Sequence, residues 1–225
     1  MKWSYSSIKQ AMTCAKQFQE VRILKNFPHS DTPQTLYGKE VHTALENYIR
    51  GGTPLPENFK RFQRLVDPIR DIAGQHLPEH RMALLEDKTT PCDFDAEDYW
   101  VRGIADLIVI DGPAGFVVDY KTGNPKYADT KQLKLMALMM FAHFPEVKRV
   151  KGGLLFLLHD RFIPTEYARS AEESMWADFE PELNRMKFYY GGNIWPANPS
   201  GLCKKHCPVK TCKYNGRANA EDYDG

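Results

Sequence analysis

Two short segments of this 225-residue chain carry carboxylates where β-type sequence would hold neutral residues. The first, Val101-Arg102-Gly103-Ile104-Ala105-Asp106-Leu107-Ile108-Val109-Ile110, sets Asp106 among apolar and β-branched neighbours. The second, Phe116-Val117-Val118-Asp119-Tyr120-Lys121-Thr122-Gly123, sets Asp119 two residues before Lys121. Between them Asp111-Gly112-Pro113-Ala114-Gly115 is turn-rich and suits an antiparallel hairpin. A hairpin would bring Asp106 and Asp119 close, and strand alternation would point Asp119 and Lys121 the same way. Close carboxylates repel unless a cation lies between them, so the pattern predicts a divalent-metal site with an ammonium beside it. The plainer readings are Asp106 capping a strand end or paired with Arg102, and Asp119 with Lys121 as a same-face ion pair.

The elements that must position these residues follow from periodicity. Ser4 and Ser6 precede a helix expected over about 6–25, with Ile8, Met12, Phe18 and Leu24 among its buried positions and Asn26-Phe27-Pro28-His29 ending it. A second helix is expected over 36–50, with Val41, Leu45, Tyr48 and Ile49 as its apolar stripe, His42 and Glu46 one turn apart, and Gly51-Gly52 as its stop. A third is expected over 57–75, split or kinked at Pro68. From Arg81 the period changes to that of a strand over 82–85, followed by an acidic stretch and the two motif strands. An amphipathic helix over 129–144, a buried strand over 150–159, a long helix over 171–190 and an irregular, cysteine-bearing tail complete the order. The expected fold class is α/β, a mixed central sheet flanked by helices, with an N-terminal helical segment and a Cys-rich C-terminal tail. A single domain over 1–225 is expected, mainly helical over 1–80, with a core over 81–160, a helix and loop over 161–200 and the tail over 201–225.

Formal net charge is +1, so the chain as a whole is not a polycation. Its distribution is uneven. Segment 86–119 is acidic, whereas Lys2, Lys9, Lys16, Arg22 and Lys25 at one end and Lys204, Lys205, Lys210, Lys213 and Arg217 at the other are basic. An acidic metal centre with basic arms suits a phosphate-backbone substrate, although solvated faces with no partner would give the same charges. No segment is apolar for long enough to span a bilayer, and Met1-Lys2-Trp3-Ser4-Tyr5-Ser6 lacks a signal peptide's apolar core. No membrane association and a cytoplasmic location (host cytoplasm for a phage-encoded chain) are therefore expected, and five cysteines there point to metal binding or buried thiols rather than disulfides.

Taken in order, Gly38-Lys39-Glu40-Val41-His42, then Gly103-Ile104-Ala105-Asp106, then Val118-Asp119-Tyr120-Lys121-Thr122-Gly123, then Gln132-Leu133 at the opening of a helix resemble the PD-(D/E)XK nuclease superfamily. The helical His narrows the resemblance to its RecB-like exonuclease branch, which includes compact phage exonucleases and CRISPR spacer-acquisition nucleases. Met136 stands where that family usually has a Tyr four residues after the Gln. The resemblance implies a restriction-endonuclease-like core and a Mg²⁺ or Mn²⁺ site formed by His42, Asp106, Asp119 and the Tyr120 carbonyl. Lys121 would stabilise charge or orient water, and Gln132 would bond water or phosphate.

Cys203-Lys204-Lys205-His206-Cys207-Pro208-Val209-Lys210-Thr211-Cys212, with the distant Cys14, is dense in metal ligands. In several members of the resembling branch one cysteine before the nuclease motifs and three after them hold a 4Fe-4S cluster. Cys14, Cys203, Cys207 and Cys212 follow that order, although their spacing departs from the usual one and His206 falls where the middle cysteine often sits. Four thiolates equally suit zinc, and a metal-free thiol cluster stays open. Cys92 fits no ligand pattern. The expected activity is metal-dependent DNA exonuclease action in phage or prokaryotic recombination, repair or end processing. The alternatives are a site- or structure-specific endonuclease and a non-catalytic DNA-binding adaptor. No G-x-x-x-x-G-K-[ST] phosphate loop is present, so ATP-driven unwinding would need a separate helicase or recombination partner.

Overall fold

The structure, a computed structural model, describes residues 1–28 and 31–216. His29 and Arg217 lie outside the described residues. In chain order the elements are α1 (Tyr5–Thr13), α2 (Ala15–Phe18), a π-helical turn (Gln19–Ile23), α3 (Pro33–Gly51), a 3₁₀ segment (Glu57–Phe62), α4 (Gln63–Arg70), β1 (Gln75–Leu84), β2 (Val101–Asp111) and β3 (Ala114–Lys121). They continue with a 3₁₀ turn (Pro125–Tyr127), α5 (Lys131–His143), β4 (Arg149–Phe156), a 3₁₀ turn (Leu157–His159), β5 (Arg161–Ala168), α6 (Glu172–Ala177), α7 (Glu180–Gly192) and α8 (Leu202–Lys205). The chain divides into two compact units.

The larger unit, residues 32–177 with Lys2, is built on one five-stranded sheet of order β1-β2-β3-β4-β5. Only the β3–β4 pair is parallel, with Lys121 opposite Phe156; the other three pairs are antiparallel. This is the mixed sheet expected. The β2–β3 hairpin closes with Asp111 opposite Ala114, and Gly112 supplies the positive φ (52°) that its tight turn requires. On one face Leu107, Val109, Val118 and Tyr120 pack with Val41, Leu45 and Tyr48 of α3 and with Phe59, Phe62 and Val66. On the other face α5 lies close: a Cβ on Gly103 would sit 2.5 Å from Met136 Cε, and one on Gly115 would sit 2.7 Å from Met140 Cε. Met136 therefore fills the space that Gly103 leaves open.

Sequence pattern accounts for α3. Thr32 caps its N-terminus by accepting from Thr35 N–H, Pro33 suits its first turn, and Gly52 ends it in the left-handed conformation (φ 67°). Elsewhere the structure corrects the expectations. The third helix breaks into 3₁₀ and α pieces at Phe62/Gln63, Pro68 lies inside α4, and Gln75 already belongs to β1. α5 is buried almost all round, from Leu135 through Phe141, because sheet and α6 both cover it; it is not amphipathic. β4 stops at Phe156, and β5, which was not expected, pairs along its whole length. The long helix splits into α6 and α7, with Pro181 in the first turn of the second piece, where its missing N–H costs nothing.

The smaller unit contains Met1, residues 3–31 and 178–216. Trp3 packs on Phe179 (ring centroids 5.8 Å apart), and Phe18 packs on Trp195 and Tyr190. The expected first helix is interrupted at Cys14, whose backbone is extended (φ −162°, ψ 108°), and Leu24 is half exposed, not buried. Ser4 closes a capping box with Ser7 at the start of α1.

Candidate metal centre

The site lies in the larger unit, where the β2–β3 ladder ends at Leu107 opposite Val118. Beyond that pair the backbone of Tyr120 is taken by side chains. Its N–H donates to Asp106 Oδ2 (2.7 Å), and its carbonyl lies 3.0 Å from His42 Nε2. His42 Nδ1 lies 3.3 Å from Asp106 Oδ1. One imidazole thus spans the Asp106 carboxylate and the Tyr120 carbonyl, two oxygens that the family resemblance implies as cation ligands. Both neighbours are acceptors, which favours the doubly protonated ring. Burial pushes the His42 pKa down, but the hydrogen bond and charge of Asp106, with Asp119 and Glu79, outweigh it and hold the pKa above its usual value.

Asp106 reaches this face because strand alternation changes phase there. Ile104 and Asp106 line the same cavity as His42, yet Leu107 and Val109 pack with α3 as well. The β1–β2 ladder is interrupted at the same point: Pro78 faces Leu107 and His80 faces Ala105, with Glu79 and Asp106 unpaired between them. The alternative partner of Asp106, Arg102, is engaged elsewhere, with Asp95 Oδ1 (3.0 Å) and the Phe94 carbonyl.

Asp119 is buried (6% exposed) and lies 2.6 Å from Lys121 Nζ through Oδ2, an atom in no hydrogen bond of normal geometry. Burial first, and then the charge of Asp106, push its carboxyl up to about 6, against the opposing pull of Lys121 and His42. Lys121 Nζ also donates to Gln132 Oε1 (3.3 Å) on the first turn of α5. The structure therefore draws His42, Asp106 and Tyr120 into one group and Asp119, Lys121 and Gln132 into an adjoining one, linked by the electrostatic coupling of the two aspartates.

One residue escaped the sequence reading. Glu79 of β1 offers a carboxylate oxygen that, with donor atoms of His42 and Asp106, forms a trio lying within 4.8 Å of one another. Asp119 is outside that trio. The trio opens into a cavity of about 480 Å³ lined also by Gly38, Lys39 and Glu46. The usable signal is an acid in Leu77-Pro78-Glu79-His80, a stretch that lies between the helix expected over 57–75 and the strand expected over 82–85. The donor set, one imidazole and carboxylate and carbonyl oxygens with a buried oxygen lacking a normal hydrogen bond, fits a divalent cation such as Mg²⁺ or Mn²⁺.

In the smaller unit Cys14, Cys203, Cys207 and Cys212 line one cavity, all part-buried. Asn198 N–H donates to Cys14 Sγ (3.4 Å) and Ser200 N–H to Cys203 Sγ (3.5 Å). Burial and the other three thiols hold the Cys207 thiol above its usual pKa. His206 is exposed and does not line the cavity.

No helix among the described residues is long and apolar enough to cross a membrane. No curated protein matches the chain. Among solved structures, one from Eubacterium rectale, provisionally named an exonuclease, matches at 12% identity and a TM-score of 0.55, covering 88% of this chain and 84% of that one. SSO0001 matches at 12% identity and a TM-score of 0.50, covering 95% of this chain and 87% of that one. At such identities these likenesses speak to the fold alone, which they share. The sequence itself matches the PD-(D/E)XK nuclease superfamily over residues 2–212, nearly its whole length, and the chain belongs to that superfamily.

Proposed function

We propose that the protein is a divalent-metal-dependent deoxyribonuclease of the RecB-like exonuclease type, acting on DNA ends in recombination, repair or end processing. The observation that carries this reading is the convergence of His42, Asp106 and the Tyr120 carbonyl beside the Asp119–Lys121–Gln132 group. His42, Asp106, Asp119 and the Tyr120 carbonyl would hold the cation. When bound, that ion supplies Lewis acidity toward the phosphate and a deprotonated water for attack. Lys121 is held between a carboxylate and an amide, so its ammonium is pre-positioned to stabilise charge developing on phosphate oxygens. Gln132 fixes Lys121 and offers its amide N–H₂ to water or phosphate. The exonuclease designation of the E. rectale relative and the order of the motifs support end-directed action.

The test is digestion of end-labelled linear DNA against closed circular DNA, with Mn²⁺ or Mg²⁺. Loss of linear DNA with the circle intact is expected. Cutting of the circle would make the protein an endonuclease on the same fold, and no cleavage with either ion would leave the adaptor reading.

The four cysteines support a second site, a 4Fe-4S cluster. Among the described residues four cysteines line one cavity, and backbone N–H groups donate to the sulfurs of Cys14 and Cys203, which suits the charge of a cluster.

A further inference from the structure

We propose that Glu79 is a ligand of the cation site, on its His42–Asp106 side; this rests on the metal-centre reading above. Three features of Glu79 are unfavourable in the protein without a cation. Its backbone is left-handed (φ 49°), a conformation that costs a non-glycine residue about 1 kcal/mol. Its side chain is half-buried, yet no hydrogen bond or ion pair reaches the carboxylate among the described residues. It stands where the ladder is interrupted opposite Asp106, a like charge. A strand with only a structural task has no use for this combination. A cation offsets the last two features directly, and the constrained backbone then serves to present the ligand.

The neighbourhood agrees. The nearby guanidinium of Arg50 is used up on the Pro78 carbonyl (2.9 Å) and Glu46 (2.9 Å). Arg50 thereby fixes the peptide next to Glu79 and forms no ion pair with Glu79 itself. Oxygens or nitrogens bound about 2.1 Å from one ion lie about 3–4.2 Å from each other. The donor atoms of His42, Glu79 and Asp106, mutually within 4.8 Å, need only small side-chain rotations to reach that spacing. They come from α3, β1 and β2, so the site would tie three elements together. An added carboxylate also raises affinity for a doubly charged ion over a singly charged one.

The test is a Mn²⁺ titration followed by the electron paramagnetic resonance of the free ion, with melting temperature in chelator measured on the same samples. The proteins are wild type, Glu79→Gln, Glu79→Asn (Asn tolerates positive φ) and Asp106→Asn as the reference for the centre. Both Glu79 variants are expected to bind Mn²⁺ at least about tenfold more weakly, with melting in chelator unchanged or higher. Wild-type Mn²⁺ binding by both variants, with or without a fall in melting temperature, overturns the assignment. If Asp106→Asn binds less while the Glu79 variants do not, only Glu79 is misassigned. If Asp106→Asn also binds like wild type, the metal-centre reading itself falls.

Discussion

At the scale of single residues the centre is an arrangement of unfavourable charges. Asp119, buried beside Asp106 with its carboxyl pushed up to about 6, binds a proton more tightly in the folded state than in the unfolded chain. The folded metal-free protein therefore gains stability as pH falls through about 6 toward about 4, and loses it again on the way up. Asp119→Asn removes this ionisation. It is expected to abolish cleavage, to raise metal-free stability near neutral pH by on the order of 1–2 kcal/mol, and to flatten that part of the pH profile. Chemical denaturation with chelator present, at several pH values, checks this. Lys121→Ala is expected to lower turnover by about 10²–10³ while DNA affinity is largely kept. A parallel fall in affinity, measured with Ca²⁺ to block cleavage, would reduce Lys121 to a phosphate anchor.

At the scale of elements the centre depends on how closely α5 and β4 approach β2 and β3. Two glycines show the difference between a yielding and an unyielding contact. A Cβ on Gly103 would meet the flexible tip of Met136, whereas one on Gly152 would sit 1.8 Å from the Val117 carbonyl oxygen, which is backbone of the neighbouring strand. Gly103→Ala is expected to cost about 1 kcal/mol, and less in a Met136→Ala background. Gly152→Ala is expected to cost ~3 kcal/mol or more, because the β3–β4 pairing that carries Asp119 and Lys121 must move. Urea unfolding of the variants separates the two cases. The far end of α5 is anchored by Arg169, which donates to the Phe141, Phe144 and Val147 carbonyls, so the helix that presents Gln132 is held at both ends.

At the scale of the whole molecule the two compact units carry different chemistry. The larger holds the oxygen-rich centre; the smaller gathers the cysteines and most of the basic residues from both ends of the sequence, including Lys9, Lys16, Lys204 and Lys205. If the cysteines bind a 4Fe-4S cluster, anaerobically purified protein is expected to be brown, with about four irons and four sulfides per chain. Cys14→Ser is expected to lose that colour and to destabilise the unit. Colourless protein with one zinc per chain would refute the cluster.

The sequence alone determined the superfamily and named the candidate carriers of its chemistry. Asp106, Asp119 and Lys121 stand out in it because charges inside β-type runs break the alternation, whereas His42 is singled out only through the family resemblance that the ordered motifs carry. Periodicity also foretold α3 and the β2–β3 hairpin, whose signals lie within a few residues of one another. It did not foretell β5, whose stability comes from pairing with β4, or the burial of α5 on all sides, which reflects neighbours remote in the chain. Only the tertiary structure decided that alternation slips at Asp106, that His42 spans Asp106 and Tyr120, and that Glu79 joins them. Those three facts arise where a ladder is interrupted, and an interruption is a relation between strands that neither strand's own residues express.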